Sequence, residues 1–121
     1  MKVLIATQNA SLDSTVAKRF GHAPYYLLID SESIEVEVFD NPEHDDTHSI
    51  IPELARRGVK LFITGNIGPH AYDLIRSLNL RVALARKMTA RKALRKLQEG
   101  ELQILDAPTM KHSVHDHAAG G

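Results

Sequence analysis

Short, uninterrupted apolar runs alternate along this chain with stretches whose apolar side chains repeat at helical spacing. Residues 3–6 (VLIA) and 61–63 (LFI) are continuous apolar runs, and such runs are typical of central strands that are covered on both faces. The stretches after 61–63 and after 80–84 carry the apolar stripe of an amphipathic helix. Successive strand–helix–strand units require right-handed crossovers and a largely parallel sheet. The pattern therefore predicts an α/β fold.

Residues that punctuate these runs predict where the elements begin and end. Helix starts are indicated by Pro69 and by Thr89 as an N-cap, and helix stops by Gly58 and Gly100. Residues 34–39 alternate between apolar and acidic side chains, which predicts a half-exposed antiparallel strand at the sheet edge. We expect a three-layer α/β/α sandwich with a mixed sheet of about five strands, in which the first strand lies centrally beside the strand at 60–64.

The length and the net charge limit the number of domains and the kinds of partner that we expect. The 121 residues suit one domain, which we expect to span residues 1–105, followed by a flexible histidine-rich tail at 106–121. The 15 basic and 15 acidic side chains cancel, so the overall charge favours neither nucleic acid nor a membrane as partner. The first apolar run is too short for a signal sequence. We expect a cytoplasmic protein that is a monomer or a weak dimer.

The most promising place for a ligand is the edge at which the predicted parallel strands end, because open α/β sheets bind ligands there. Gly65 and Gly68 would let the backbone approach a ligand, and the helix that starts at Pro69 would direct free N–H groups at an anion. Two interpretations stay open: an anion site that includes Gly65, Asn66, Gly68 and His70, or a tight turn without a ligand. The segment is neither a Walker loop nor a dinucleotide fingerprint.

Histidine is the residue type that most favours a metal-related role. The seven histidines are His22, His44, His48, His70, His112, His115 and His117, and all fall in predicted loops, helix starts or the tail. Imidazoles at such positions can bind metals, although each is equally compatible with simple exposure to solvent. We regard His22 and His70 as the principal candidates and the other five as weaker ones.

The carboxylates do not form a recognisable catalytic set. A nuclease on a sheet of this kind needs several carboxylates around metal ions, one of them on the first strand. The first strand, KVLIAT, has none, and the nearest acids are Asp13 and Asp30. We therefore expect that the protein is not an enzyme.

Four segments resemble the dinitrogenase iron–molybdenum cofactor family, which includes NifX-type carriers and the C-terminal part of NifB-type proteins. They are KVLIATQN, VAKRFGHAPYYLLID, LARRGVKLFITGNIGPHAYDLI and TARKALRKLQEGEL. The resemblance implies a ribonuclease H-like motif without nuclease activity. It also implies a carrier that binds an iron–sulfur-type cluster, the iron–molybdenum cofactor or a precursor, and moves it between donor and acceptor proteins of cluster assembly.

The composition constrains how such a cluster would be held. The chain has no cysteine, which excludes the usual thiolate ligation of an iron–sulfur cluster. Neutral imidazoles of His22 and His70, helped by helix N–H groups, would make a weaker and exchangeable site. The alternatives are a small-anion-binding regulatory or adaptor domain that uses the same edge and, less favoured, a hydrolytic enzyme that uses Asp13 or Asp30.

Overall fold

The computed structural model describes residues 1–33, 35–41 and 50–111, which contain a mixed sheet with helices on both faces. The strands are β1 (Lys2–Thr7), β2 (Tyr25–Asp30), β3 (Glu35–Asp40), β4 (Val59–Thr64), β5 (Arg81–Leu84) and β6 (Gln103–Ile104). The helices are α1 (Ile50–Arg56), α2 (Pro69–Ser77) and α3 (Ala90–Gln98), and a short 3-10 helix spans Phe20–His22. Within the described residues the strand order is β3-β2-β1-β4-β5-β6.

The first strand lies centrally, as the sequence predicted. β1 pairs in parallel with β4, with Ile5 opposite Ile63, and antiparallel with β2 on its other side. β4 pairs in parallel with β5, whereas β3 and β6 are antiparallel to their neighbours. The expected α/β class with a ribonuclease H-like motif is confirmed. The strand beyond the expected five is β6, which has only two residues.

Side chains that alternate along β1 divide the core into two layers. Leu4 and Ala6 belong to a buried cluster with α1 and α2, and Val3 and Ile5 belong to a second cluster with α3. Each large aliphatic side chain buried in this way contributes roughly 1.5–3 kcal/mol. The predicted three-layer arrangement follows, because both faces of β1 are covered.

The predicted helix ends also have their expected geometry. Gly58 and Gly100 have φ values of +97° and +71°, in the left-handed region that L-residues with a Cβ avoid. Pro69 is the first residue of α2, and Thr89 caps α3 by accepting a hydrogen bond from the Lys92 N–H at 3.1 Å. Local sequence chemistry is therefore sufficient to place these boundaries.

The described chain continues past the predicted domain boundary at residue 105. Thr109 donates its N–H to the Ile67 carbonyl at 3.0 Å, and its hydroxyl accepts the Ile67 N–H at 2.8 Å. The start of the segment predicted as a tail thus contacts the turn before α2. The boundary itself stays a prediction, and residues 112–121 lie outside the described part. Among the described helices, none has the length and apolarity required to cross a membrane.

Candidate functional site

Two loops are joined by backbone hydrogen bonds at the carboxyl ends of the parallel strands. The segment after β1 contacts the turn after β4: Gly65 donates its N–H to the Ala17 carbonyl at 3.0 Å, and Asn66 donates to Lys18 at 2.6 Å. Phe20 returns a bond to the Asn66 carbonyl at 2.9 Å. Lys18 and Arg19 are therefore held next to Asn66, although they are far from it in sequence.

Gly65 is required by this contact. A Cβ at Gly65 would lie 2.5 Å from the Ala17 carbonyl oxygen and 2.6 Å from that of Lys18, which is closer than backbone atoms can tolerate. The absence of a side chain at Gly65 thus allows another segment of the same chain to approach closely. Contact of Gly65 with a ligand stays a prediction.

The Asn66 side chain connects this pair of loops to a third. Its amide oxygen accepts a hydrogen bond from Arg86 Nη2 at 2.6 Å, and Arg86 belongs to the loop between β5 and α3. That loop is also tied to the first one, because Val16 donates its N–H to the Met88 carbonyl at 2.9 Å. Asn66 therefore lies where the loops that follow three parallel strands meet.

Four exposed cations lie in the loops that meet at this point, and we call them the basic edge. They are Lys18, Arg19, Arg86 and Lys87. None forms an ion pair with a carboxylate of the described residues. In a chain with no net charge, such a cluster produces a local positive potential that attracts anions.

Lys87 occupies an unusual backbone conformation within the basic edge. Its φ is +57°, a left-handed geometry that costs a residue with a Cβ roughly 1–2 kcal/mol relative to the right-handed one. Glycine would adopt this geometry without that cost. A lysine at this position therefore keeps a cation in the loop despite an unfavourable backbone.

The basic edge was not predicted from the sequence. The signal that was available is a pair of basic dipeptides, Lys18-Arg19 and Arg86-Lys87, each in a loop that follows a predicted parallel strand. The nearby acid Asp13 is already engaged, since its carboxylate accepts a 2.8 Å bond from Arg91 Nε. That hydrogen bond and the charge of Arg91 lower the pKa of Asp13.

His22 is exposed at the end of the 3-10 helix that follows Arg19. Two side chains, one buried and one half-buried, hold the backbone of this turn through hydrogen bonds. Tyr26 donates its hydroxyl to the Phe20 carbonyl at 2.7 Å, and Asn41 donates its side-chain amide to the Ala23 carbonyl at 2.9 Å. Burial raises the pKa of Tyr26 well above its usual range, so this phenol stays a donor at neutral pH. The segment that carries His22 is thus continuous with the basic edge.

His70 lies in a different environment. It is exposed in the first turn of α2 and lines a shallow pocket between α1 and α2 with Pro52, Asp73 and Leu74. Neither His22 nor Asn66 lines that pocket. Gly68 is buried at the N-cap of α2 in an extended conformation. The prediction that His22 and His70 bind one cofactor stays untested.

The other candidate metal ligands do not form a metal site within the part of the chain that the structure describes. His44, His48, His112, His115 and His117 lie outside the described residues. Within residues 1–33, 35–41 and 50–111, no three histidine or acidic side chains are grouped so that they could hold a metal ion. Asp30 is in register with Lys2 at the start of β1, whereas Asp13 lies in the loop after β1 and is bound by Arg91.

Comparison with known proteins identifies the family. Residues 1–100 match the dinitrogenase iron-molybdenum cofactor family. The chain belongs to this family. Membership links the protein to the biosynthesis or binding of the iron–molybdenum cofactor and thus associates it with a metallocluster.

Individual relatives agree with the fold. The NMR structure of a putative NifB protein from Thermotoga has a TM-score of 0.78 and 29% identity, over 90% of this chain and 97% of that one. The apo form of the orange protein from Desulfovibrio gigas has a TM-score of 0.80 and 23% identity, over 90% and 96% of the two chains. An uncharacterized Methanocaldococcus jannaschii protein is 24% identical over 110 residues, which cover 85% of this chain and 90% of the relative.

Proposed function

We propose that this protein is a carrier that holds an anionic iron–sulfur-type metallocluster at the basic edge and passes it to a partner protein. The cargo is the iron–molybdenum cofactor or a precursor, and the partners are donor and acceptor proteins of cluster assembly. The observation that supports this role is the presence of four exposed cations in loops that are joined at Asn66 and Val16, in a family member that has no cysteine.

The donor set of the basic edge suits an anionic cargo. A chain without cysteine cannot hold a cluster through thiolates. Lysine and arginine N–H groups instead form charge-assisted hydrogen bonds to anionic acceptors. Exposed contacts between opposite charges are each worth roughly 0–1 kcal/mol, because solvent screens them. Several contacts of that size would hold a cluster and still allow its release.

His22 is the histidine best placed to add a direct ligand. It follows Arg19 by three residues, and its turn is anchored through Tyr26 and Asn41. A single neutral imidazole would supplement the electrostatic contacts without making the site irreversible. His70 is a candidate for a separate contact from the pocket between α1 and α2.

Anaerobic reconstitution with iron and sulfide tests the proposal. The full chain carries His112→Ala, His115→Ala and His117→Ala, so that tail histidines do not contribute metal. We expect iron and sulfide to co-elute with the protein at a fixed ratio, and Arg86→Ala combined with Lys87→Ala to lower that ratio. Arg81→Ala is the matched control, because Arg81 is exposed at the opposite end of β5. Protein that elutes free of both elements contradicts the carrier role.

The same cations also favour a second function, a regulatory or adaptor domain that binds a small anion without a cluster. Inorganic phosphate distinguishes the two functions. An adaptor would gain thermal stability from phosphate in proportion to occupancy and would show no dependence on iron. Loss of that stabilisation in the Arg86→Ala, Lys87→Ala variant would locate the anion at the basic edge.

A further inference from the structure

β3 forms a free edge of the described sheet, and one of its faces is apolar. Val36 and Val38 are 39% and 42% exposed. They are in register with Ile29 and Leu27, which pack in the core layer of α3. An exposed edge strand with apolar side chains is a template on which another strand can pair.

The other face of β3 is acidic. Glu35 and Glu37 lie on it, and Glu37 forms an ion pair with Arg57, whose guanidinium also lies 5.3 Å from the centre of the Phe39 ring. Glu35, and Asp40 at the end of the strand, have no ion-pair partner among the described residues. The edge thus combines unpaired strand backbone with negative charge that is only partly neutralised.

We infer that β3 is a docking edge for a partner protein that adds a strand with alternating basic and apolar side chains. Main-chain hydrogen bonds of such an added strand supply affinity, and the alternating side chains supply specificity. Its apolar side chains would cover Val36 and Val38, and its basic side chains would lie opposite Glu35 and Glu37. Opposite charges directly across a strand pair stabilise it, and like charges destabilise it.

A second copy of the same chain fits this edge less well. The antiparallel register that places Val36 opposite Val38 of another copy also places Glu37 opposite Glu37. The register that pairs Val38 with itself places Val36 opposite Asp40. Each of these symmetric pairings therefore either opposes two carboxylates or leaves Val36 against a charge, whereas a basic strand places apolar side chains opposite both valines and cations opposite both glutamates.

The position of β3 places this partner next to the basic edge. Asp40 is in register with Tyr25, which is in register with Thr7 at the carboxyl end of β1. β3 is two strands away from β1, about 10 Å at the usual strand spacing. A protein docked on β3 would thus lie close to the proposed cargo site; the use of this edge for cargo transfer rests on the proposed function, whereas the docking does not.

The test uses the full chain without metal and a synthetic peptide of about eight residues in which valine and lysine alternate. Amide NMR follows residues 35–40. We expect shifts and exchange protection at β3, with binding weakened several-fold when the salt concentration is raised from about 50 to about 300 mM. Val36→Lys with Val38→Lys should abolish binding, and Glu35→Gln should weaken it. Glu99→Gln, an exposed change at the end of α3, is the matched control.

Four results would overturn the inference: the peptide does not bind, its shifts fall outside β3, a peptide that alternates valine and glutamate binds equally well, or β3 is protected in a concentration-dependent homodimer without any peptide. Because no iron or sulfide is present, failure of peptide binding leaves the carrier proposal untouched. Conversely, if the protein binds the peptide but no cluster, the docking inference stands and only the carrier proposal fails.

Discussion

Arg86 donates a 2.6 Å hydrogen bond to the side-chain oxygen of Asn66, and this bond connects the loops that follow two adjacent parallel strands. The amide oxygen has no charge, so it orients the guanidinium without neutralising it. Asn66 also exchanges backbone hydrogen bonds with the Lys18–Phe20 segment. One residue thus positions cations that arrive from two distant parts of the chain.

Lys87→Gly should affect the stability of the protein and the binding of a cluster or phosphate at the basic edge in different ways. At φ +57°, glycine relieves a backbone cost of roughly 1 kcal/mol, partly offset by greater entropy of the unfolded chain. We expect unchanged or slightly higher resistance to urea together with weaker cluster or phosphate binding. Asn79→Gly is the control, because Asn79 has φ +62° after α2 and lies outside the basic edge. Equal binding by both variants would contradict a role for the Lys87 cation.

Gly65→Ala should be strongly destabilising. The new Cβ meets two backbone carbonyl oxygens, so either the segment after β1 or the turn after β4 must move. We expect a loss of about 2–4 kcal/mol in the free energy of unfolding, measured by urea denaturation. Gly100→Ala has free space around its Cβ and φ +71°, and it should cost only about 1 kcal/mol. A similar cost for both changes would argue against the close packing at Gly65.

Thr64→Val should stabilise the protein. Thr64 is fully buried, and its hydroxyl finds no hydrogen-bond partner among the described residues. Replacing it with a methyl group removes an unsatisfied polar atom, which is worth about 1–3 kcal/mol. Thr7 is equally buried, but its hydroxyl donates to the Asn9 carbonyl at 2.8 Å. Thr7→Val should therefore be destabilising, and a scan of thermal unfolding that gives both variants the same sign contradicts this assignment.

Acid should weaken the attachment of the loop after β1 to α3. The hydrogen bond and charge of Arg91 lower the pKa of Asp13 in the folded state, so the unfolded chain binds a proton at higher pH than the folded one. The stabilisation is complete above the unfolded pKa of about 3.9 and disappears as the pH falls through the lower folded value. Both side chains are exposed, so the effect should be small.

Thermal unfolding between neutral pH and strongly acidic pH measures this contribution. Asp13→Asn should unfold at a lower temperature than the parent at neutral pH, with the difference shrinking in acid. Asp73→Asn removes an exposed carboxyl that has no ion pair within the described residues, and it serves as the control. A temperature difference for Asp13→Asn that stays constant with pH is the result that would count against the ion pair.

Local sequence features were sufficient for most of the fold. Continuous apolar runs identified β1 and β4, alternation identified the edge strand β3, and Thr89 and Gly100 marked the ends of α3. These predictions succeed because periodicity and capping depend on neighbours within one or two turns of the chain. The two-residue strand β6 is too short for alternation to distinguish a strand from a packed loop.

From the sequence, the position of the candidate site in the sheet was predictable, but the contacts within it were not. The carboxyl edge of the parallel strands and the turn at Gly65–Gly68 were expected from topology, but the role of Gly65 depends on the backbone of Ala17 and Lys18. His70 was predicted as a candidate ligand together with His22, and in the structure it lines a pocket with Pro52, Asp73 and Leu74. Its direction depends on the rotation of α2 about its axis, which helical periodicity alone does not specify.

By itself, the sequence determined the element types, their order, the central position of β1 and the lack of thiolate ligands. Only the tertiary structure decided which charged residues lie in adjacent loops. Lys18, Arg19, Arg86 and Lys87 are brought together because parallel crossovers carry distant loops to one edge of the sheet, and Asn66 then joins those loops through hydrogen bonds. Such contacts depend on strand order and on side-chain direction, and both are set by long-range packing, which no local pattern encodes.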